Sequence, residues 1–238
     1  MISKHNLQKV ISKYNLNGLV ESVKWTIKDK SLYVKFNNPA KSMIGEIEYK
    51  DFDLPDNEIA IYDTTQLDKL VAITTGELNL SLVNQRLIIE DRNYTLNYPL
   101  ADILLIQVPK GVNESSGYNV ECSLEIEDLS NIIKAKGALQ SDHVIFTTTQ
   151  NFDGDNVVVM IFGNNESYTN KIEYMIPNSK NTSTQFNLPF DSEIIKVVMA
   201  NNKDADKATM KINTNGLLKL EFEGSNWSSR YFFARKAE

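Results

Sequence analysis

Four times along the chain the same short pattern recurs: a large aliphatic residue, two mostly polar ones, then two aliphatics. The copies are Leu7-Gln8-Lys9-Val10-Ile11, Leu67-Asp68-Lys69-Leu70-Val71, Leu129-Ser130-Asn131-Ile132-Ile133 and Ile194-Ile195-Lys196-Val197-Val198, their lead residues 60, 62 and 65 positions apart. A period of that size predicts one supersecondary unit used four times. Each copy has apolar residues at i, i+3 and i+4, the spacing of a helix with one buried stripe; in the first copy the stripe is Leu7, Val10, Ile11 and Tyr14.

Local signals frame these helices. Asp63-Thr64, Glu127-Asp128 and Asp191-Ser192 supply cap oxygens or favourable charge at three helix starts. Asn17-Gly18, Gly76, Gly137 and Asn201-Asn202 are the expected stops, because these residues tolerate left-handed backbone. Between helices the period changes to two: Val23, Trp25 and Ile27 alternate with polar residues, as do Leu218, Leu220 and Phe222. Asn215-Gly216 and Asp153-Gly154 mark hairpins. The expectation is an α+β fold of two similar domains, each with two helices packed on antiparallel sheets. The boundary falls in the turn-rich stretch from Pro99 to Tyr118, giving domains 1–110 and 111–238. The apolar run Ile103–Val108 inside that stretch reads as an unpaired edge strand that invites a partner.

Each helix is expected to turn a lysine away from its core. A residue two places after the lead position lies roughly 150° from the centre of the stripe. Lys9, Lys69 and Lys196 hold that place; the third helix has Asn131 there and Lys134 one turn later, with Lys4, Lys13 and Lys203 as flanking charges. The formal net charge of -6 and pI near 5.1 do not exclude a phosphate-binding surface, since local clustering makes one. Lysine is also common on any exposed helix face. Repetition in register favours the other reading, loose binding to duplex DNA through phosphates without reading bases.

Catalytic chemistry finds little to work with. The two histidines, His5 and His143, sit in no metal spacing and beside no nucleophile motif. Asp153 and Asp155 flank Gly154 without the bidentate glutamate a calcium loop needs. Cys122, the one cysteine, excludes an internal disulfide and a thiolate metal cluster. No glycine-rich phosphate loop is present, and no run of about 18 apolar residues occurs. The N-x-S/T sequons, among them those at Asn93, Asn113, Asn165, Asn181 and Asn226, lack a secretory context. The expectation is a non-enzymatic protein of the cytoplasm with no metal, no cofactor and no membrane partner.

The run Glu58-Ile59-Ala60-Ile61-Tyr62-Asp63 leads into Leu67–Val71, and is followed by Leu80-Ser81-Leu82-Val83, Ile88-Ile89-Glu90-Asp91-Arg92 and Tyr98-Pro99-Leu100-Ala101-Asp102. Weaker echoes follow at Ile126-Glu127-Asp128-Leu129 and Phe222-Glu223-Gly224. In these segments, and in the ordered repeat, the chain resembles the DNA sliding clamps of T-even-type bacteriophages, in the superfamily of proliferating cell nuclear antigen. The resemblance implies a closed homotrimeric ring that encircles duplex DNA and tethers the replicative DNA polymerase in viral DNA replication, in the cytoplasm of the infected host cell. An ATP-hydrolysing clamp loader is the further implied partner.

It also implies a hydrophobic pocket for partner peptides beneath the connector, formed by Tyr98, Leu100 and Ile103 with Phe232 or Phe233, and a subunit interface built from Leu105, Ile106 and Val108 against Tyr168, Lys171 and Tyr174. Asn131 in place of a basic residue, Pro189 before the fourth helix, and Arg230, Arg235 and Lys236 near the C-terminus depart from the family pattern. Two other readings stay open at the level of sequence. One is a monomeric processivity factor that binds DNA electrostatically; the other is a structural phage protein or sugar-binding β-rich module.

Overall fold

The computed structural model describes residues 1–236 apart from 115, 140, 152, 164–169, 178 and 180–184. Tyr168 and the sequons at Asn165 and Asn181 lie outside the described residues. The chain divides into two compact units, Met1–Gly111 with Ser225–Ser229, and Val112–Gly224 with Arg230 to the C-terminus.

Both units use the same order of elements. The first runs β1 (Ile2–Ser3), α1 (Lys4–Asn15), β2 (Val23–Lys28), β3 (Ser31–Asn37), β4 (Met43–Lys50), β5 (Asn57–Ile61), α2 (Thr64–Ala72), β6 (Glu77–Val83), β7 (Arg86–Glu90) and β8 (Thr95–Pro99). The second runs β9 (Val120–Leu124), α3 (Ile126–Ala138), β10 (His143–Gln150), β11 (Asn156–Gly163), β12 (Lys171–Met175), β13 (Asn187–Asp191), α4 (Ser192–Asn201), β14 (Lys207–Asn213), β15 (Leu217–Glu223) and β16 (Trp227–Ala234). The repeated element is therefore strand, helix and three strands, used four times, as the period of the sequence predicts. Within each unit the copies exchange their first strands. β1 joins β6-β7-β8 while β5 joins β2-β3-β4, and β9 joins β14-β15-β16 while β13 joins β10-β11-β12.

Apolar periodicity explains which faces are buried. Leu7, Val10, Ile11 and Tyr14 of α1, Leu67 and Val71 of α2, Leu129 and Ile132 of α3, and Ile195, Val198 and Met199 of α4 are all buried. Val23, Trp25 and Ile27 alternate inward along β2 as expected. Within each unit the two helices pack on one another, α1 on α2 and α3 on α4. One device repeats at both helix pairs: the Thr64 hydroxyl donates to the Val20 carbonyl, and the Ser192 hydroxyl donates to the Ser141 carbonyl.

Asp63 and Asp191 cap α2 and α4 as expected, accepting hydrogen bonds from backbone N–H groups of the first turn. α1 is capped by Ser3 and ends through left-handed Leu16, Asn17 and Gly18. Glu127 and Asp128 stand in the first turn of α3 as expected, Asp128 completing a capping box with the N-cap Glu125. Other expectations need correction. α3 is not stopped by Gly137 but runs through it to Ala138. Asn202 closes α4 at φ -122, outside the left-handed region, with its side-chain amide donating to the Val198 carbonyl.

The run Ile103–Val108 is also not a strand. Asp102 accepts a hydrogen bond from the Leu104 N–H at 2.9 Å and folds Ile103–Leu105 into a 3-10 turn, leaving Leu104 and Leu105 85% and 76% exposed. A local side-chain cap outweighs strand propensity where no neighbouring strand is present to repay the extended form. Both hairpin signals hold: Gly216 (φ 100) closes the β14–β15 turn, and Gly154 (φ 85) the β10–β11 turn. Among the described residues no helix is long and apolar enough to cross a membrane.

Candidate nucleic-acid interface

In each unit the face of the helix pair turned away from the sheets carries the candidate lysines. Lys69 of α2, Lys134 of α3 and Lys203 just beyond α4 are exposed, and Lys4 and Lys9 of α1 and Lys196 of α4 are half-buried. Lys4 donates to the Ala72 carbonyl at 2.5 Å, placing an ammonium at the negative end of α2. Lys196 lies 3.3 Å from Glu193, and Lys136, which the repeat did not single out, lies 3.3 Å from the same carboxylate. Burial works to raise Glu193, but these two hydrogen-bonded lysines outweigh it and hold its carboxyl below the usual range.

Lys13 is corrected out of this set. It is fully buried, its ammonium 3.5 Å from the centre of the Trp227 ring. The lysine arithmetic fails there because Lys13 lies beside Tyr14 at the margin of the apolar stripe, where Trp227 covers it. Asp68 is tucked toward α1: burial raises its carboxyl above the usual range, opposed by a hydrogen bond from Gln8. The α2 carboxylate closest in sequence to Lys69 is thus partly withdrawn from the exposed face.

The residues expected to form a partner pocket separate in the structure. Tyr98 is buried, stacked on Tyr62 with ring centres 5.2 Å apart, and its hydroxyl donates to the Asp63 carbonyl at 3.0 Å. Burial, first among the causes, pushes that phenol up to about 12. Phe232 and Phe233 are core side chains of the second unit. Leu100 and Ile103 line a polar cavity together with Asn57, Glu58 and Arg86.

A different groove, of about 370 Å³, is walled by Val20 and Val23, by Phe36 and Pro39, and by Leu105 and Ile106 of the connector, with Lys35 and Lys41 at its margin. Sequence reading missed its walls because they come from the start of β2, the end of β3 and a connector far along the chain, a convergence no local period encodes. Gly45 is part of this design. A Cβ there would meet the Phe36 ring at 2.2 Å, so only glycine lets that ring lie across β4 and wall the groove.

Among the described residues β8, at one edge of its sheet, pairs only with β7, and β12, at one edge of its sheet, pairs only with β11. Each is tied by a tyrosine to the start of a helix: Tyr98 of β8 to Asp63 at α2, and Tyr174 of β12 to Asp128 at α3. Lys171 is exposed on β12 and pairs with Glu173. Leu105 and Val108 are exposed on the connector and Ile106 is half-buried. Among the described residues no group of three or more His, Cys, Asp or Glu could hold a metal ion.

No family model and no curated protein matches the chain. Solved structures do. Proliferating cellular nuclear antigen from Entamoeba histolytica is 14% identical with a TM-score of 0.77, over 99% of this chain and 96% of that one. The A. fulgidus PCNA bound to the C-terminal region of FEN-1 is 16% identical with a TM-score of 0.80, over 100% and 97%. PCNA from Thermococcus kodakaraensis is 13% identical with a TM-score of 0.76, over 99% and 98%. The chain therefore has the fold of the PCNA sliding clamps along its whole length.

Proposed function

We propose that the protein is a DNA sliding clamp: a non-enzymatic homotrimeric ring that encloses duplex DNA and holds the replicative polymerase at the primer end. The observation that carries this reading is the pair of open strand edges. β8 ends the second copy of the repeat and β12 the third, so they are different surfaces, and head-to-tail pairing of β8 with β12 of another copy of the chain continues both sheets and closes on itself. In antiparallel register Leu96 and Tyr98 lie beside Ile172 and Tyr174. The exposed apolar residues support the same join: Ile73 and Tyr94 stand at one edge, Ile126 and Met175 at the other. Six similar units then form a trimer whose helix layers face the DNA.

Lys4, Lys9, Lys69, Lys134, Lys196 and Lys203 are the proposed phosphate contacts. Enclosure, rather than affinity, keeps the ring on DNA, so these contacts need only be weak. The groove under Leu105 and Ile106 is the proposed seat for a partner peptide, and a clamp-loading ATPase is the proposed means of opening the ring. The resemblance to T-even-type clamps supports a viral setting, in the cytoplasm of an infected host cell.

Light scattering across a concentration series tests the assembly. A species of three times 27.0 kDa is expected, and it should be retained on closed circular DNA and lost once the circle is cut. A chain that stays monomeric and binds linear and circular DNA alike, with steep salt dependence, would overturn the ring. Within the ring, Lys69→Glu with Lys134→Glu should lower retention and reduce the salt slope by about one for each lysine.

A further inference from the structure

Asn131 is the one break in the lysine register of the four helices, and the structure supplies a reason for it. Asp128 and Asn131 are three residues apart and share a face of α3, and that face meets β12. The Tyr174 hydroxyl of β12 donates to Asp128 Oδ1 at 2.6 Å, and the Asn131 side chain hydrogen-bonds the Tyr174 hydroxyl oxygen. The second carboxylate oxygen, Asp128 Oδ2, accepts the Glu125 N–H at 2.8 Å and so closes the capping box of α3. Asp128 is itself buried at 6% exposure, so both bonds form away from bulk water, where such bonds are strongest. A lysine at position 131 would bring its ammonium beside the Asp128 carboxylate and compete with the Tyr174 hydroxyl for it.

Among the described residues β12 is paired along its length with β11 alone, through the register from Val159↔Met175 to Gly163↔Lys171. Its inward side chains are Ile172 and Tyr174, and Tyr174 is the one with a polar tip. We propose that Asp128 and Asn131 form a clasp on Tyr174 that fixes the free edge of β12 for pairing with a second copy of the chain. Asn131 is then a positioning residue for ring closure, and not a weakened DNA contact. The clasp rests on the ring reading of this fold. It also links two events: a force that peels β12 from its partner pulls on the cap of α3, a helix that bears Lys134 on its outer face.

The experiment compares wild type with Tyr174→Phe, which removes only the hydroxyl, and Asn131→Lys, which restores the lysine register. Light scattering gives the assembly midpoint, amide hydrogen exchange gives protection at Ile172–Met175 and in the first turn of α3, and retention on closed circular DNA gives function. Tyr174→Phe should weaken assembly by roughly tenfold at each interface, the loss of one hydrogen bond to a charged group. It should also speed exchange at both sites while the chain stays folded. Asn131→Lys should weaken assembly similarly and give no gain in retention. A wild-type trimer whose assembly is indifferent to both substitutions overturns the clasp, as does an Asn131→Lys ring retained better than wild type. A wild-type chain that stays monomeric at every concentration overturns the ring reading itself, a result distinguishable from either.

Discussion

The two units share one frame and fill it differently. Aligning the sequence repeat, Leu7 on Leu129, brings the stripe of α1 onto that of α3, and its last member changes from Tyr14 to Lys136. In the first unit Tyr14 belongs to a chain of rings. The Trp25 indole N–H donates to the Tyr14 hydroxyl at 3.2 Å, Trp25 meets Phe52 edge-on at 5.6 Å, and Phe52 meets Tyr49 at 6.3 Å. In the second unit Lys136 reaches a carboxylate instead, and the buried hydroxyl of Thr148 has no hydrogen-bond partner.

That unit also carries an ionic network: Lys219 bridges Glu114 and Glu221 at 2.8 and 2.9 Å, and Lys211 bridges Glu221 and Glu121 at 3.1 and 3.2 Å. A frame set by apolar periodicity thus keeps an apolar core in both units, extended by a chain of rings in the first and flanked by paired charge in the second.

The largest expected effect strikes the aromatic interior. Trp25→Ala opens a cavity among Tyr14, Phe52 and the β2 strand and should cost about 3–5 kcal/mol. In denaturant the first unit should then melt ahead of the second; simultaneous loss of both would show that the units do not unfold separately. Gly45→Ala comes next. The new methyl displaces the Phe36 ring at a cost of about 1–3 kcal/mol and deforms the groove, so the structure of the variant and a peptide-binding isotherm should change together.

Acid acts with opposite sign on the ionic network of the second unit and on Asp68 of the first. Burial works to raise Glu114 and Glu221, but their lysine partners hold both below the usual carboxylate range. Their contribution is therefore present above a pH of about 4.5 and lost as pH falls through the depressed values. Asp68 in the first unit is raised by burial, so its penalty is relieved as pH falls toward the unfolded value near 3.8. Urea titrations at pH 7 and pH 4 should show the second unit losing more stability, and Lys219→Met should remove much of that difference. The smallest effect is a gain: Thr148→Val replaces an unpartnered hydroxyl with a methyl and should stabilise the second unit by about 1 kcal/mol, read as a rise in its melting temperature.

Much of this architecture was legible in the sequence because it is written in local periods. The four helices, both hairpin turns and the alternation of β2 follow from spacing that any short window contains. What escaped was set by distant chain. Lys13 reads as a surface lysine until Trp227 covers it, and the groove under Leu105 exists only where β2, β3 and the connector converge. Ile103–Val108 looked like a strand by composition, yet Asp102 two residues before Leu104 decided its backbone. Asn131 was visible as an exception, but its meaning depended on Tyr174, which only the tertiary structure brings to it.

The burial of Lys13 under Trp227 bears on how the chain is made. The first unit lacks Ser225–Ser229 until Val112–Gly224 of the second unit have been made, although its other residues emerge before Val112. A nascent N-terminal half therefore waits with an ammonium beside its core and no indole over it, and a fragment ending at Gly111 keeps that defect permanently. Completion of the first unit is thereby tied to synthesis of the second, so products truncated before Ser225 are left without a finished first half.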